Sequence, residues 1–200
     1  MNSKKLLTSR NMALMAILAS LASILMAWDF SIPLVPPFYK LDFSEIPVMI
    51  GGFVIGPWAS VIIEGLKVLI RMLIKPTSTA YVGELANFIV GVCFVFPASM
   101  YYQRIKTKKG ALIGLIFGTI NMTVVGAVFN YYILIPAYSF LYNMPLDKII
   151  AMGTQVTPLI HDKFTFVLLA TSPFNLFKGV VISGIVLLIY KHISRLLKKF

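Results

Sequence analysis

The stretch FVLLATSPFNLFKGVVISGIVLLIY, residues 166–190, decides the fold. It runs 25 residues with a single charged side chain, Lys178. About 20 predominantly apolar residues cross the hydrocarbon core of a bilayer as a helix, so this segment predicts a membrane span. Pro173 removes one backbone donor and predicts a helix start or a kink near that end. Working outward, further apolar runs separate at charged or Pro/Gly-rich breaks. They cover residues 11–28, 44–56, 58–74, 84–102 and 111–135. Six spans at about 20 residues each use about 120 residues. The 200-residue chain then reads as one membrane domain, with no room for a separate soluble catalytic or ATP-binding domain. The composition agrees: 58% of residues are hydrophobic and 12% charged, against about 25% charged in soluble domains. The expected fold class is an all-α integral membrane protein, a bundle of six transmembrane helices.

Charge sets the orientation. With the amino terminus in the cytoplasm, the inner segments carry Lys4, Lys5, Arg10, Arg104, Lys106, Lys108, Lys109, Lys191, Arg195, Lys198 and Lys199, and no acid. The formal charge of +11 sits on that side. The positive-inside bias therefore places both termini in the cytoplasm. The same excess of base would suggest nucleic acid in a soluble protein; here it marks cytoplasmic loops, and no nucleic-acid partner is expected. Leu25-Met26-Ala27 is a poor cleavage site, so the first run reads as a span rather than a signal peptide.

Polar residues inside the spans are the candidate site, because ionisable groups in a bilayer are costly and default to functional roles. Asn175 and Lys178 are three apart and share a helix face. An amide beside an ammonium suits a ligand with several acceptors; the alternative is a structural polar cluster. Asn130 opens Asn130-Tyr131-Tyr132 near the expected outer end of span five, either lining a pocket for a flat molecule or, for the tyrosines especially, forming an interfacial belt. Glu64, Lys67 and Arg71 share one face of span three, where Glu64 and Lys67 read as a neutralised pair holding helices together. Asp42 and Glu45, at the outer mouth, either accept ligand hydroxyl groups or, with Ser44, cap the second helix. Two outer segments, 29–45 and 136–165, read as long loops able to serve as lids.

Small residues at four-residue spacing, Ala16 with Ser20 and Ala19 with Ser23, let a neighbouring helix approach span one closely, as does a glycine stripe at Gly110, Gly114 and Gly118 on span five. Whether that neighbour is internal or a second protein is open from spacing alone. The sequence has no G-x-x-x-x-G-K-[ST] phosphate loop, no H-E-x-x-H pair and no serine elbow. The lone Cys93 rules out an internal disulfide and a cysteine metal cluster. No metal and no catalytic residue is expected.

These motifs together resemble the riboflavin-binding S components of energy-coupling factor (ECF) transporters. The resemblance covers nearly the whole chain. It rests on the Ala/Ser-rich first span, Pro36-Pro37 leading to Leu41-Asp42-Phe43-Ser44-Glu45-Ile46-Pro47, Gly51-Gly52-Phe53, Gly56-Pro57 and Gly83-Glu84-Leu85-Ala86-Asn87-Phe88. It continues through Lys108-Lys109-Gly110, Asn130-Tyr131-Tyr132 with Pro136, and Pro173-Phe174-Asn175 with Lys178-Gly179. The resemblance implies a six-helix bundle in the cell membrane, with a riboflavin pocket near the outer face closed by the outer loops. Riboflavin would be the transported ligand and not a cofactor. Asn130, Asn175 and Lys178 would bond the isoalloxazine or neighbouring polar atoms. Asp42 or Glu45, with Asp42 preferred, would take ribityl hydroxyls. The small-residue face of Ala16, Ala19, Ser20 and Ser23 would meet a transmembrane coupling subunit, which works with two cytoplasmic ATPases. Transport would carry the pocket across by tipping of the whole component in the bilayer. An S component for thiamine, pantothenate or folate, or a stand-alone small carrier, are the alternative readings.

Overall fold

The structure, a computed structural model, describes residues 6–32, 35–36, 39–77, 81–141 and 145–197. Each apolar run of the sequence is helical. They are α1 (Ser9–Ala27), α2 (Glu45–Val54), α3 (Pro57–Ile74), α4 (Val82–Arg104), α5 (Lys108–Phe129) and, as the last helix, α9 (Ser172–Leu197). Among the described residues, four continuous helices are long and apolar enough to cross a membrane: Ser9–Ala27, Val82–Arg104, Lys108–Leu141 and Lys163–Lys191. The runs at 44–56 and 58–74 differ. At 1.5 Å per residue the ten residues of α2 reach about 15 Å, half of a hydrocarbon core of about 30 Å. The α3 helix is longer but buries Glu64, Lys67 and Arg71.

Local chemistry sets the ends. Thr8 and Thr107 accept hydrogen bonds from Asn11 N and Gly110 N, capping α1 and α5. Between α2 and α3, Gly56 adopts φ 140°, a region that side chains disfavour, and Pro57 begins α3 with φ already fixed. Ser44 precedes α2 but makes no capping hydrogen bond; its hydroxyl is used elsewhere, so the expected cap is not formed.

Pro173 does not start a helix. A π-helical turn at Asn130–Leu134 joins α5 to α6 (Ile135–Leu141), and another at Val167–Thr171 joins α8 (Lys163–Phe166) to α9. Each π turn ends two residues before a proline, Pro136 or Pro173. A proline ring clashes with the carbonyl four residues back and offers it no donor. The wider turn accommodates both problems, and Ser172 Oγ donates to Val167 O at 2.9 Å. The helix therefore runs on through the proline.

The two segments read as loops are partly folded. Within 29–45, β1 (Phe30–Ser31) and β2 (Lys40–Leu41) pair antiparallel, Phe30 opposite Leu41. Within 136–165, α6 extends span five and α7 (Leu146–Thr154) folds back, so that Ile135, Ile149, Ile160 and Phe166 form a small second core. The main core lies among α1 to α5 and α9. There Phe53 stacks on Tyr102 at 4.2 Å, and Gln103 Nε2 donates to Phe53 O at 2.7 Å near the C-terminal end of α2. The glycine stripe of α5 packs internally: a Cβ at Gly114 or Gly118 would lie 2.6 or 2.4 Å from the carbonyl oxygens of Ala98 and Phe94 on α4. On α1, Ala19 and Ser23 are fully buried, whereas Ala16 and Ser20 face outward. The four small residues thus lie on two faces, and only Ala16 and Ser20 are free to meet another protein.

Candidate functional site

Asn175 and Lys178 turn inward together, 5% and 7% exposed. Lys178 meets the α2 entrance. Its Nζ lies 3.0 Å from Asp42 Oδ2 and 3.3 Å from Glu45 Oε1. Asp42 Oδ1 accepts from Ser44 N at 2.9 Å and from the Ser44 hydroxyl. Glu45 Oε2 and Ser44 Oγ both accept from Lys67 Nζ at 3.1 Å, and Lys67 also pairs with Glu64 Oε1 at 2.5 Å. The neutralised pair expected of Glu64 and Lys67 is present, extended into a six-residue network that ties α2, α3 and α9. Buried charge persists only when paired in this way. Gly91 of α4 makes room for it: a Cβ there would lie 2.2 Å from Glu64 Oε1.

A second cluster lies further along α3. Arg71 Nη1 donates to Glu84 Oε1 at 2.7 Å, and Thr77 Oγ1 to Glu84 Oε2 at 2.9 Å. Asp29 takes Lys75 at 2.9 Å and Lys40 at 3.4 Å. These contacts hold the β hairpin against α3 and α4.

Above the first network opens a cleft with about 650 Å³ of empty space, its mouth included. Tyr39, Lys40 and Glu45 line one side. Gly83, Ala86, Asn87, Val90 and Gly91 come from α4, Met122, Asn130, Leu134 and Tyr138 from the α5–α6 helix, and Phe174, Asn175 and Lys178 from α9. Four of the five residues expected to bind ligand, Glu45, Asn130, Asn175 and Lys178, therefore share one wall system. Asp42 does not line it. Its two oxygens are taken by Ser44 and Lys178, so it sits behind the lysine as a support. Tyr131 and Tyr132 also lie off the cleft; Lys163 Nζ sits 4.2 Å from the centre of the Tyr131 ring.

The polar groups differ in how far they are committed. Asn130 is engaged: its Nδ2 donates to Gly126 O at 2.8 Å and its Oδ1 accepts from Tyr39 OH at 3.1 Å. The Tyr39 hydroxyl also lies 2.5 Å from Thr171 Oγ1. One phenol from the hairpin segment therefore joins the first residue of one π turn to the last of the other. Its ring packs 5.2 Å from Phe174, and burial raises its pKa, keeping the hydroxyl neutral. By contrast, Asn175 Nδ2 is buried without any hydrogen-bond partner, as is Asn87 Oδ1. Gly126 makes the space for Asn175, since a Cβ there would lie 2.5 Å from Nδ2. Buried polar groups are nearly always satisfied, and both of these orphans belong to residues that line the cleft.

Tyr39 and Asn87 were not singled out as site residues from sequence. Tyr39 is one of several loop aromatics, and its role depends on two distant helices. Asn87 carries a signal only as an amide within an apolar span.

The chain matches the family model described as ECF transporter, substrate-specific component, over residues 10–190. It is 30% identical over 182 residues to the riboflavin transporter FmnP of Bacillus subtilis (strain 168), covering 90% of each chain. It is also 30% identical over 198 residues to the riboflavin transporter RibU of Staphylococcus aureus (strain TCH60), covering 98% of this chain and 97% of that one. A solved structure, described as the S component of a bacterial ECF transporter, superposes with a TM-score of 0.73 at 32% identity, covering 94% of this chain and 96% of the other. With fold, cleft and family match in agreement, the chain belongs to the substrate-specific components of ECF transporters.

Proposed function

We propose that this protein is the substrate-binding subunit of a riboflavin importer. It is a multi-pass protein of the plasma membrane that takes riboflavin in the cleft from the outer side and has no enzymatic activity of its own. Delivery uses an ECF coupling module, a transmembrane subunit with two cytoplasmic ATPases. The chain acts as a single membrane domain crossing six times with both termini in the cytoplasm. In that arrangement α2 contributes a half-length crossing completed by its flanking segments, and α3 carries its charges on an internal face.

The observation that carries this reading is a cleft of mixed character in a chain whose named relatives are riboflavin transporters. Tyr39, Phe174, Leu134, Val90 and Met122 offer apolar and aromatic surface to a flat isoalloxazine. Asn175 supplies an unused donor to its carbonyls or ring nitrogens. Glu45, which unlike Asp42 lines the cleft, turns the lone pairs left by Lys67 and Lys178 to ribityl hydroxyls. Lys178 is held in place by the carboxylates of Asp42 and Glu45 and presents its remaining N–H to the guest. A few placed polar groups in an apolar pocket is the usual composition of such sites.

Reconstituted uptake tests the reading. Proteoliposomes holding this chain, the coupling subunit and both ATPases are expected to accumulate riboflavin only with ATP. Accumulation by this chain alone would favour a stand-alone carrier, and ATP-driven uptake of a different vitamin would reassign the substrate.

A further inference from the structure

The network beneath the cleft does not balance if every group in it is ionised. It sets three carboxyls, Asp42, Glu45 and Glu64, against two ammoniums, Lys67 and Lys178, and each of the five residues is 7% exposed or less. One negative charge would then lie buried without a counterion, which an interior shut off from water does not sustain. The Glu64 carboxyl lies within hydrogen-bonding reach of the Glu45 carboxyl. Ionised carboxylates are acceptors only, so two of them do not bond to each other. Neither Glu64 oxygen accepts a hydrogen bond from a donor of the chain. Lys67 Nζ is close, at 2.5 Å, but it directs its hydrogen bonds to Ser44 Oγ and Glu45 Oε2. A metal ion is the other way to supply positive charge, yet no group of His, Cys, Asp and Glu among the described residues is arranged to hold one.

We infer that Glu45 and Glu64 share one proton, carried by Glu64, whose neutral carboxyl donates a hydrogen bond to the Glu45 carboxylate. The pair then bears a single negative charge, matched by Lys67. Lys178 matches Asp42, and the network as a whole is neutral. Glu45 is the member that stays ionised, because two ammoniums reach it, Lys67 at 3.1 Å and Lys178 at 3.3 Å. Among the ion pairs of the described residues, Glu64 has Lys67 alone. A carboxylate offers about four acceptor positions; Lys67, Lys178 and the Glu64 proton occupy three on Glu45 and fix its orientation. Glu64 does not line the cleft, whereas Glu45 and Lys178 do. It is therefore a positioning residue that acts through Glu45. The place of the proton is independent of what the cleft binds; its effect on affinity rests on the riboflavin reading.

Infrared absorption of the full chain at neutral pH, ligand-free and in a detergent without carbonyl groups, reads the proton directly. Wild type is expected to show the C=O stretch of a neutral carboxyl, and Glu64→Gln to lack it. A wild-type spectrum without that band, or a band that survives Glu64→Gln, would overturn the inference. Riboflavin titration of the same proteins reads the positioning. Glu64→Gln, whose amide donates as the neutral acid does, is expected to bind within about threefold of wild type. Glu64→Met, of similar length but without a donor, is expected to bind about tenfold more weakly. Equal weakening in both variants, or none in Glu64→Met, would contradict the role given to the hydrogen bond. If Glu64→Met does not fold, wild type and Glu64→Gln still decide through the spectrum. Thermal unfolding of wild type should not change when sodium and potassium are replaced by choline; a lowered midpoint would assign the missing charge to a metal ion and overturn the proton. A band that vanishes in Glu64→Gln in a chain that binds no riboflavin would uphold the proton and overturn the functional reading instead.

Discussion

Replacing Lys178 with methionine removes the ammonium and keeps most of the stem's volume. The sequence alone suggests a loss of ligand binding with the fold intact. The structure predicts a loss of stability as well. Lys178 Nζ lies 3.0 Å from Asp42 and 3.3 Å from Glu45, and all three are buried. With an effective dielectric constant of about 20, each contact is a gross attraction of about 5 kcal/mol. Desolvation offsets much of that in the intact protein. It does not do so once the partner is gone, because Asp42, Glu45 and Glu64 are then left with Lys67 alone. Breaking a buried pair from one side costs about 3–5 kcal/mol, a large share of the roughly 5–15 kcal/mol that holds typical domains folded. Thermal unfolding in detergent, without ligand, is the assay. Lys178→Met should lower the midpoint substantially, and Asp42→Asn in the same chain should restore part of the loss, since the double variant buries one fewer unpaired charge. An unchanged midpoint in Lys178→Met, or strictly additive losses in the double variant, would refute the network.

Four further outcomes follow from the same geometry. Asn175→Ala should leave ligand-free unfolding nearly unchanged, because Nδ2 has no protein partner, while titration shows affinity for riboflavin reduced about tenfold to a hundredfold. Gly126→Ala drives a Cβ to 2.5 Å from that amide; it should weaken binding to a similar degree, and equal affinity in both proteins would show that Asn175 is not positioned by this contact. Tyr39→Phe removes the hydroxyl joining Asn130 and Thr171. Stopped-flow displacement should show faster riboflavin release, by about fivefold to tenfold for one hydrogen bond of about 1 kcal/mol or slightly more, with the apolar packing on Phe174 retained. Gly91→Ala should destabilise the chain by about 1–3 kcal/mol through overpacking against Glu64, read by the same unfolding assay.

Membrane character was legible because a bilayer demands long apolar runs, and each of those runs is helical in the structure. The chain path through Pro173 was not. Proline predicts an interruption, and only the paired π turns show how the helix continues. Residues 136–165 were read as loop because their prolines and polar residues hide a short helix, α7, that is stabilised by contacts with Phe166 and Ile160 across the sequence. Asn175 and Lys178 stood out since amides and ammoniums are rare in spans, and both do face the cleft. Their difference in commitment was hidden: Lys178 finds Asp42 at a sequence separation of 136 residues, a pairing no local pattern encodes. The small residues of α1 show the same limit from the other side. Four-residue spacing marks close approach, but burial divides Ala19 and Ser23 from Ala16 and Ser20.

The most direct measurement is titration of the purified, ligand-free chain with riboflavin, followed by flavin fluorescence, beside parallel titrations with thiamine, pantothenate and folate. Saturable quenching at one riboflavin per chain, shifted to about tenfold to a hundredfold weaker binding in Asn175→Ala, is the expected result. Absence of riboflavin binding while one of the other vitamins binds would contradict the account.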